Sequence, residues 1–485
     1  MGEIVSRETM QFTQITPSGN FAIHYDTKGY NAVENKDLNN NSIPDYIDSV
    51  SYYIDLAFQS EVIGLGFPFS PLDSNSGGTP MYDIYVKELA ASPYYGLTQP
   101  EASVFSGNEF QFRSSYIVID NDFQDDKYRT KGIDGLKITL FHEFNHSIQF
   151  YMTENDSPVL AEMSATFMEF RFFPEILDYL QWMKKWFDSP TTLSIANNYS
   201  ADAGYGLSLF FQYTYKKYGD GIILNSWLNI VKGLNDIESL EKSLELKQSN
   251  LSEAFCEFTN WMYYTGANSR GNQYFVNASK LPELKLTDDL IFSNDNLRFE
   301  DNLPPFTFSP RRIILKNNAM SMNDTLLLFM SNADLENAKK KNSLKSLAKY
   351  SLYKENMPNT EKYDKLDYFY QDESDTNYCN TALELLGEKG IRYVEAYPNP
   401  FTPKLNETIH LPAPDNSKVY EGAEVEIYTP NMVVVFAGTK EVTVHKGQLV
   451  LNVNQNEIKQ LDTGFYLFKS TVNGNSTVGK FMVKK

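Results

Sequence analysis

Five consecutive residues, His142-Glu143-Phe144-Asn145-His146, constrain this 485-residue chain more than any other stretch. Residues four apart on a helix lie one above the other on the same face. His142 and His146 can therefore hold one metal ion between them, with Glu143 beside it. Zinc bound by two imidazoles and a carboxylate keeps a fourth position for water, whose pKa falls to about 7. Glu143 would take that water's proton as it attacks a carbonyl polarised by the metal. The same five-residue pattern also arises by chance in unrelated helices, so its surroundings must decide. Two of the chain's five histidines fall here. Leu140, Phe144 and Tyr151, flanked by Phe141 and Ile148, lie opposite them, which predicts an amphipathic helix forming a cleft wall.

A third ligand is needed. Gln149 and Met152 occupy the positions where an extended HExxHxxGxxH pattern requires glycine and histidine, which excludes that class. Downstream, Ser157 suits a helix N-cap and Pro158 the first helical position, so a second helix is expected from there to about Pro174. Three glutamates compete. Glu154 follows His146 by only eight residues, leaving little chain to turn back. Glu169 lies two turns beyond Glu162 and suits a partner to a histidine N–H. Glu162 comes sixteen residues after His146, enough for one helix to end and a second to cross it. Glu162 is the expected ligand. Hydrolysis also needs a donor for the oxyanion. After His146 no histidine occurs before His410, so Tyr205, following Gly204 at an expected helix start, is the candidate. A His-Glu-x-x-His helix followed by one carrying glutamate is the gluzincin arrangement of thermolysin-like enzymes.

Residues from about 20 to 265 resemble a family of secreted bacterial proteins predicted to be metalloproteases. The resemblance rests, in order, on FAIHYDTKG, DLNNNSIPDYID, MYDIYV, YIVIDNDF, TLFHEFNHSIQF, LAEMSATFME and YGLSLFFQYTYKKYGDG. It covers roughly half the chain and bears on the zinc site more than on any substrate.

The second of these stretches has a pattern of its own. Asp37, Asn39, Asn41, Asp45 and Asp48 place oxygens at positions 1, 3, 5, 9 and 12 of a twelve-residue loop, with the Ile43 carbonyl at position 7. That is the EF-hand type of calcium loop. Ser42 stands where glycine is usual, and Asp48 where a longer bidentate glutamate is usual, which weakens binding. The acidic residues Asp120, Asp122, Asp125 and Asp126 lack such spacing and read as a solvated loop.

The expected fold class is α+β: a zincin-like (gluzincin) catalytic domain over residues 1–275, then two β-sandwich domains over 276–392 and 393–485, the last Ig-like. Alternation predicts strands at 20–26 and 81–86, and a more buried one at 116–120. Helices are expected at 45–60, 175–188, 206–218, 221–232 and 250–265. Beyond about 275 helical patterns largely stop, RRIILKN and TLLLFMSN read as strands, and Lys339–Lys349 reads as a solvated loop or helix. Cys256 and Cys379 lack the spacing of a metal pair and are expected as free buried thiols. The stretch from about 393, with YPNPF, a later GFYLF and a terminal GKFMVKK, resembles the C-terminal sorting domain of the type IX secretion system. It is also similar to an Ig-like module of flagellar hook-capping proteins. The resemblance implies export across two membranes, then cleavage or surface attachment.

Net charge is 43 − 62 = −19, which argues against nucleic acid or an anionic membrane surface as partner. No run is long enough for a membrane span. The opening MGEIVSRETM has no apolar core and is not a signal peptide. Either the chain stays inside the cell or it begins after a removed leader, and the C-terminal stretch favours the second. The expected protein is a monomeric, secreted or cell-surface zinc endopeptidase, also binding calcium, with protein or peptide as substrate and the secretion machinery as partner. A non-catalytic adhesin on a zincin scaffold is the competing expectation, against which an intact Glu143 argues. A hydrolase of some other acyl group is a third.

Overall fold

The computed structural model describes residues 7–485 except 71–74, 108–109, 155–156, 197–200, 288, 293–295, 317–322, 340–345, 355–367, 373–377, 387–395, 397–398, 400, 405, 415–416, 430–432 and 446–447. It is a mixed α+β molecule. The first sheet holds β1 (Phe12–Ile15), β2 (Phe21–Tyr25), β3 (Tyr82–Lys87), β4 (Gly96–Gly107) and β5 (Phe110–Asp120) in the order β1-β2-β3-β5-β4. β2, β3 and β5 run parallel, while β1 and β4 flank them antiparallel. The expected strands are all present. Their alternation, however, does not separate core from solvent, because β2 is buried at every position. His24 Nε2 lies 3.0 Å from Asp83 Oδ1, Thr13 Oγ1 lies 2.9 Å from His24 Nδ1, and Arg7 also pairs with Asp83. The polar face of the strands is thus a buried, mutually satisfied network, as charges out of water require.

Two helices pack on this sheet: α1 (Asp45–Ala57) and α2 (Gly132–Met152). α1 runs on without a break into a π-helical stretch, Phe58–Gly64. Phe144 of the five-residue motif is fully buried, with Phe21 and Phe69 edge-on at 5.7 and 5.1 Å. The helical half continues through α3 (Pro158–Phe172), α4 (Leu180–Asp188), α5 (Ala201–Tyr218), α6 (Gly221–Val231), α7 (Asp236–Glu245) and α8 (Leu251–Tyr263). α7, absent from the expectations, begins at a capping box of Asn235 and Glu238.

β6 (Asp289–Phe292), β7 (Asn296–Leu303), β8 (Phe308–Lys316), β9 (Asn323–Asn332), β10 (Ser346–Lys354), β11 (Tyr368–Asp372) and β12 (Tyr378–Leu386) form two sheets, β11-β10-β7 and β12-β9-β8-β6. RRIILK lies in β8 and TLLLFMSN in β9, while residue 317 lies outside the described residues. Of the lysine-rich stretch, expected as a loop or helix, Lys339 ends a short helix (Leu335–Lys339), 340–345 lie outside the described residues, and 346–349 open β10. Phe306 and Phe308 pack on Phe255 of α8 at 5.2 and 6.4 Å, so one apolar core runs from Phe21 to Ala338. Cys256, also on α8, is half-buried and disulfide-bonded, not a free buried thiol. The chain's other cysteine is Cys379, whose side chain lies outside the described residues.

A second core spans Ala396 to Val483. Its sheet, antiparallel throughout, is ordered β13 (Thr408–Pro412), β16 (Gln448–Asn454), β15 (Val434–His445), β14 (Gly422–Tyr428), β17 (Gly464–Val472), β18 (Asn475–Val483). β15 pairs with β14 up to Glu441 and with β16 from Val442, so the sheet curls on one strand that changes partner. Phe401 closes the domain by pairing with β18: its N–H donates to Met482 and its carbonyl accepts from Lys484. Positions 397, 398 and 400 of YPNPF lie outside the described residues.

Candidate metal centre

α2 and α3 cross so that their polar residues meet. His142 Nε2 and His146 Nε2 stand 3.1 Å apart, as i,i+4 residues on one helix should. Glu162 Oε2, from the first turns of α3, lies 3.2 Å from the first nitrogen and 3.5 Å from the second. Close approach of a third helix holds Glu162 there. A Cβ on Gly204 of α5 would lie 2.5 Å from both Glu162 Cβ and the Val159 carbonyl. Only glycine allows α5 so near α3, and it brings the next residue, Tyr205, to the site.

The other ring nitrogens of the two histidines are also engaged. His142 Nδ1 is 2.7 Å from Glu169 Oε1, and His146 Nδ1 is 2.8 Å from Gln149 Oε1. Gln149 cannot present its amide nitrogen instead, because that nitrogen donates to the Ala161 carbonyl at 3.1 Å and to Asn145 Oδ1 at 2.7 Å. Both Nδ1 atoms therefore carry their protons toward acceptors, and in the neutral rings both Nε2 lone pairs face Glu162. Glu162 Oε2 is buried and accepts no hydrogen bond. Three lone pairs converging on one point require positive charge between them.

The ionisation directions agree. Burial alone opposes a charged His142, but Glu162 and Glu169 outweigh it and raise its pKa well above the usual imidazole value. His146 is raised too, Glu162 overcoming burial. Burial by itself would raise Glu162, yet the two imidazoles, His146 foremost, hold its carboxyl well below the usual range. Burial pushes Glu169 up to about 7 against the pull of His142. The site attracts cations, and His142, His146 and Glu162 can hold a metal ion.

Glu143 points from the same helix toward the sheet, where Thr98 of β4 donates to its Oε2 at 2.8 Å and to its carbonyl at 2.7 Å. β4 can run this close because Gly96 has no Cβ, which would sit 2.6 Å from Thr139 and 3.2 Å from Glu143. Tyr205 stacks parallel to His142 at 5.6 Å, close enough for the Glu162 and Glu143 charges to act on its phenol. Burial first, then Glu162 and Glu143, raise its pKa, which keeps the phenol a neutral donor. It lies in the second turn of α5, not at the helix start. On its outer side Trp182, 41% exposed, packs at 4.7 Å.

Of the three competing glutamates, Glu162 joins the histidines. Glu169 backs His142, and Glu154 pairs with Arg113 at 3.5 Å. The histidine face of α2 is largely covered. His142 and Glu143 are each 7% exposed, because α3 and the Tyr205 ring of α5 cover a helix whose other side already lies on the sheet. Sequence reasoning missed Thr98, Gln149 and Trp182 as parts of the site. Gln149, three residues after His146, was within reach of helical spacing; the other two come from distant elements.

Residues 37–48 form a loop held by its own side chains. Asp37 accepts from the Asn41 and Ser42 N–H groups at 3.2 and 2.9 Å, and Asn41 Oδ1 from Ile43 at 2.8 Å. Asp45 accepts from Leu38 at 2.9 Å, while Asn39 and Asn41 reach Asp48 at 2.8 and 3.0 Å. Ser42 takes φ 68°, the left-handed turn usually given to glycine. The Asp120 loop differs from its expectation. Asp120 is fully buried, accepting from Asp122, Phe123, Leu89 and Tyr128, and groups with Glu88 and Asp125.

The chain matches no protein-family model and no curated protein. No described helix is long and apolar enough to cross a membrane.

Proposed function

We propose that this chain is a secreted zinc-dependent endopeptidase, its catalytic part a zincin-like domain. The observation that carries the reading is the spacing of His142 Nε2, His146 Nε2 and Glu162 Oε2, 3.1, 3.2 and 3.5 Å apart. Donors about 2.0–2.1 Å from a tetrahedral zinc are themselves about 3.3 Å apart. Bound zinc supplies Lewis-acid polarisation of a carbonyl and a water acidic near neutral pH. The protein supplies the rest. Glu143, held by Thr98, accepts the proton of the attacking water and passes it to the leaving amine. Tyr205 donates its neutral hydroxyl to the developing oxyanion. β4 is the edge strand of its sheet and passes Glu143, so an extended peptide can lie along it by backbone hydrogen bonds.

Casein digestion with and without chelator, with zinc measured on the same sample, tests this. We expect about one zinc per chain and digestion abolished by the chelator. Zinc without digestion of any protein would favour the adhesin reading instead.

The disulfide at Cys256 supports secretion, because such bonds persist in oxidising compartments. The curled C-terminal sheet is compatible with an Ig-like fold, which we propose is a sorting domain that engages the secretion machinery, and we propose that the mature protein is monomeric. The 37–48 loop supports a calcium site, with Asp37, Asn39, Asn41, Asp45, Asp48 and the Ile43 carbonyl as ligands. Calcium binding only the folded state raises the melting temperature by mass action. Melts in EGTA and in millimolar calcium should differ by several degrees, and Asp37→Ala with Asp45→Ala should erase the difference. Equal wild-type melts in the two buffers would remove calcium from this account.

A further inference from the structure

Glu61 is fully buried on the π-helical stretch that follows α1, 84 residues before the nearest polar group it touches. Helical turns of this kind are rare and cluster at functional sites. Its Oε2 accepts from Asn145 Nδ2 at 2.8 Å, and its Oε1 is buried and accepts no hydrogen bond. A carboxyl placed so deep needs a reason beyond packing. Each neighbour continues the chain of contacts. Asn145, with its nitrogen turned to Glu61, presents Oδ1 to Gln149 Nε2 at 2.7 Å. Gln149, its nitrogen so occupied, presents Oε1 to His146 Nδ1 at 2.8 Å. His146 then bears its proton on Nδ1, and Nε2 keeps a free lone pair beside Glu162. Turning over either amide would set donor against donor or oxygen against oxygen along the line.

We propose that Glu61 is a positioning residue for the metal centre, acting through Asn145 and Gln149 to hold His146 in the tautomer that binds metal. The proposal rests on the zinc reading above. It makes the π-helical stretch part of the site. Loss of a partner that orients a metal-binding histidine costs about 10–100-fold in affinity.

The test measures zinc dissociation constants by chelator competition, and visible spectra of the cobalt-substituted proteins, for wild type, Glu61→Leu, Gln149→Leu and the double variant. Each single variant should bind zinc about 10-fold more weakly and shift the cobalt bands. The double variant should bind no more weakly than Gln149→Leu, because both cut the same chain of contacts. Glu61→Gln retains an acceptor for Asn145 and should restore near wild-type affinity. Should Glu61→Leu fail to fold, Asn145→Ser severs the bridge with less apolar bulk and should weaken zinc equally. Wild-type affinity in Glu61→Leu or in Asn145→Ser, or losses that add in the double variant, would overturn the proposal. A wild-type protein that takes up no zinc would overturn the metal reading itself, and this proposal with it.

Discussion

Glu143→Gln is expected to lower kcat on a protein substrate by about 10²–10⁴-fold, the range a positioned general base contributes. Zinc content and melting temperature should stay at wild-type values. Glu143 is not among the three converging donors, and a glutamine side chain still offers Thr98 an oxygen to bond. The change removes only the ability to accept a proton while the water attacks. KM should therefore move little, since the lost interaction belongs to the transition state rather than to substrate binding. Casein or a fluorogenic peptide assay alongside metal analysis gives both quantities. A variant that digests protein at the wild-type rate would rule out the proposed chemistry while leaving the metal centre intact.

Glu162→Ala is expected to lose most of its zinc. It withdraws one of three donors, leaving two imidazoles 3.1 Å apart without the carboxylate that faces both Nε2 atoms. The loss should exceed the 10–100-fold that follows removal of a supporting partner. Glu169→Ala should fall within that smaller range, because Glu169 meets His142 at Nδ1 and not at the metal side of the ring. Glu154→Ala should leave affinity unchanged, since Glu154 contacts only Arg113 among the described residues. Competition with a chromophoric chelator across the three variants ranks them. If Glu169→Ala or Glu154→Ala bound less zinc than Glu162→Ala, the ligand set would have to be redrawn around HEFNH. Tyr205 adds a control: it is not among the three converging donors, so Tyr205→Phe should affect kcat more than zinc affinity.

Much of the centre was legible in the sequence because it is local. The i,i+4 spacing of His142 and His146 is a consequence of helical rise and turn, and it holds in any fold that keeps the helix. The 37–48 loop is equally local: its oxygens alternate because a tight turn brings every second side chain inward, and the structure retains that turn with Ser42 in glycine's conformation. Strand positions followed from apolar periodicity, and α3 from Pro158 at its start. Glu162 was preferred over Glu154 and Glu169 by counting chain length, an argument about reach.

Tertiary structure decided what depends on distance between elements. The crossing of α2 and α3, set by Gly204 and the packing of α5, put Glu162 and not Glu169 beside both Nε2 atoms. Thr98, 45 residues before Glu143, meets it only because β4 lies at the sheet edge against α2. Burial of the histidine face, burial of the His24–Asp83 pair and the bonded state of Cys256 have the same origin. Periodicity tells which residues share a face of a helix or strand. Which element covers that face is settled by the packing of the whole core, because apolar burial is non-directional and can satisfy one amphipathic pattern in many ways.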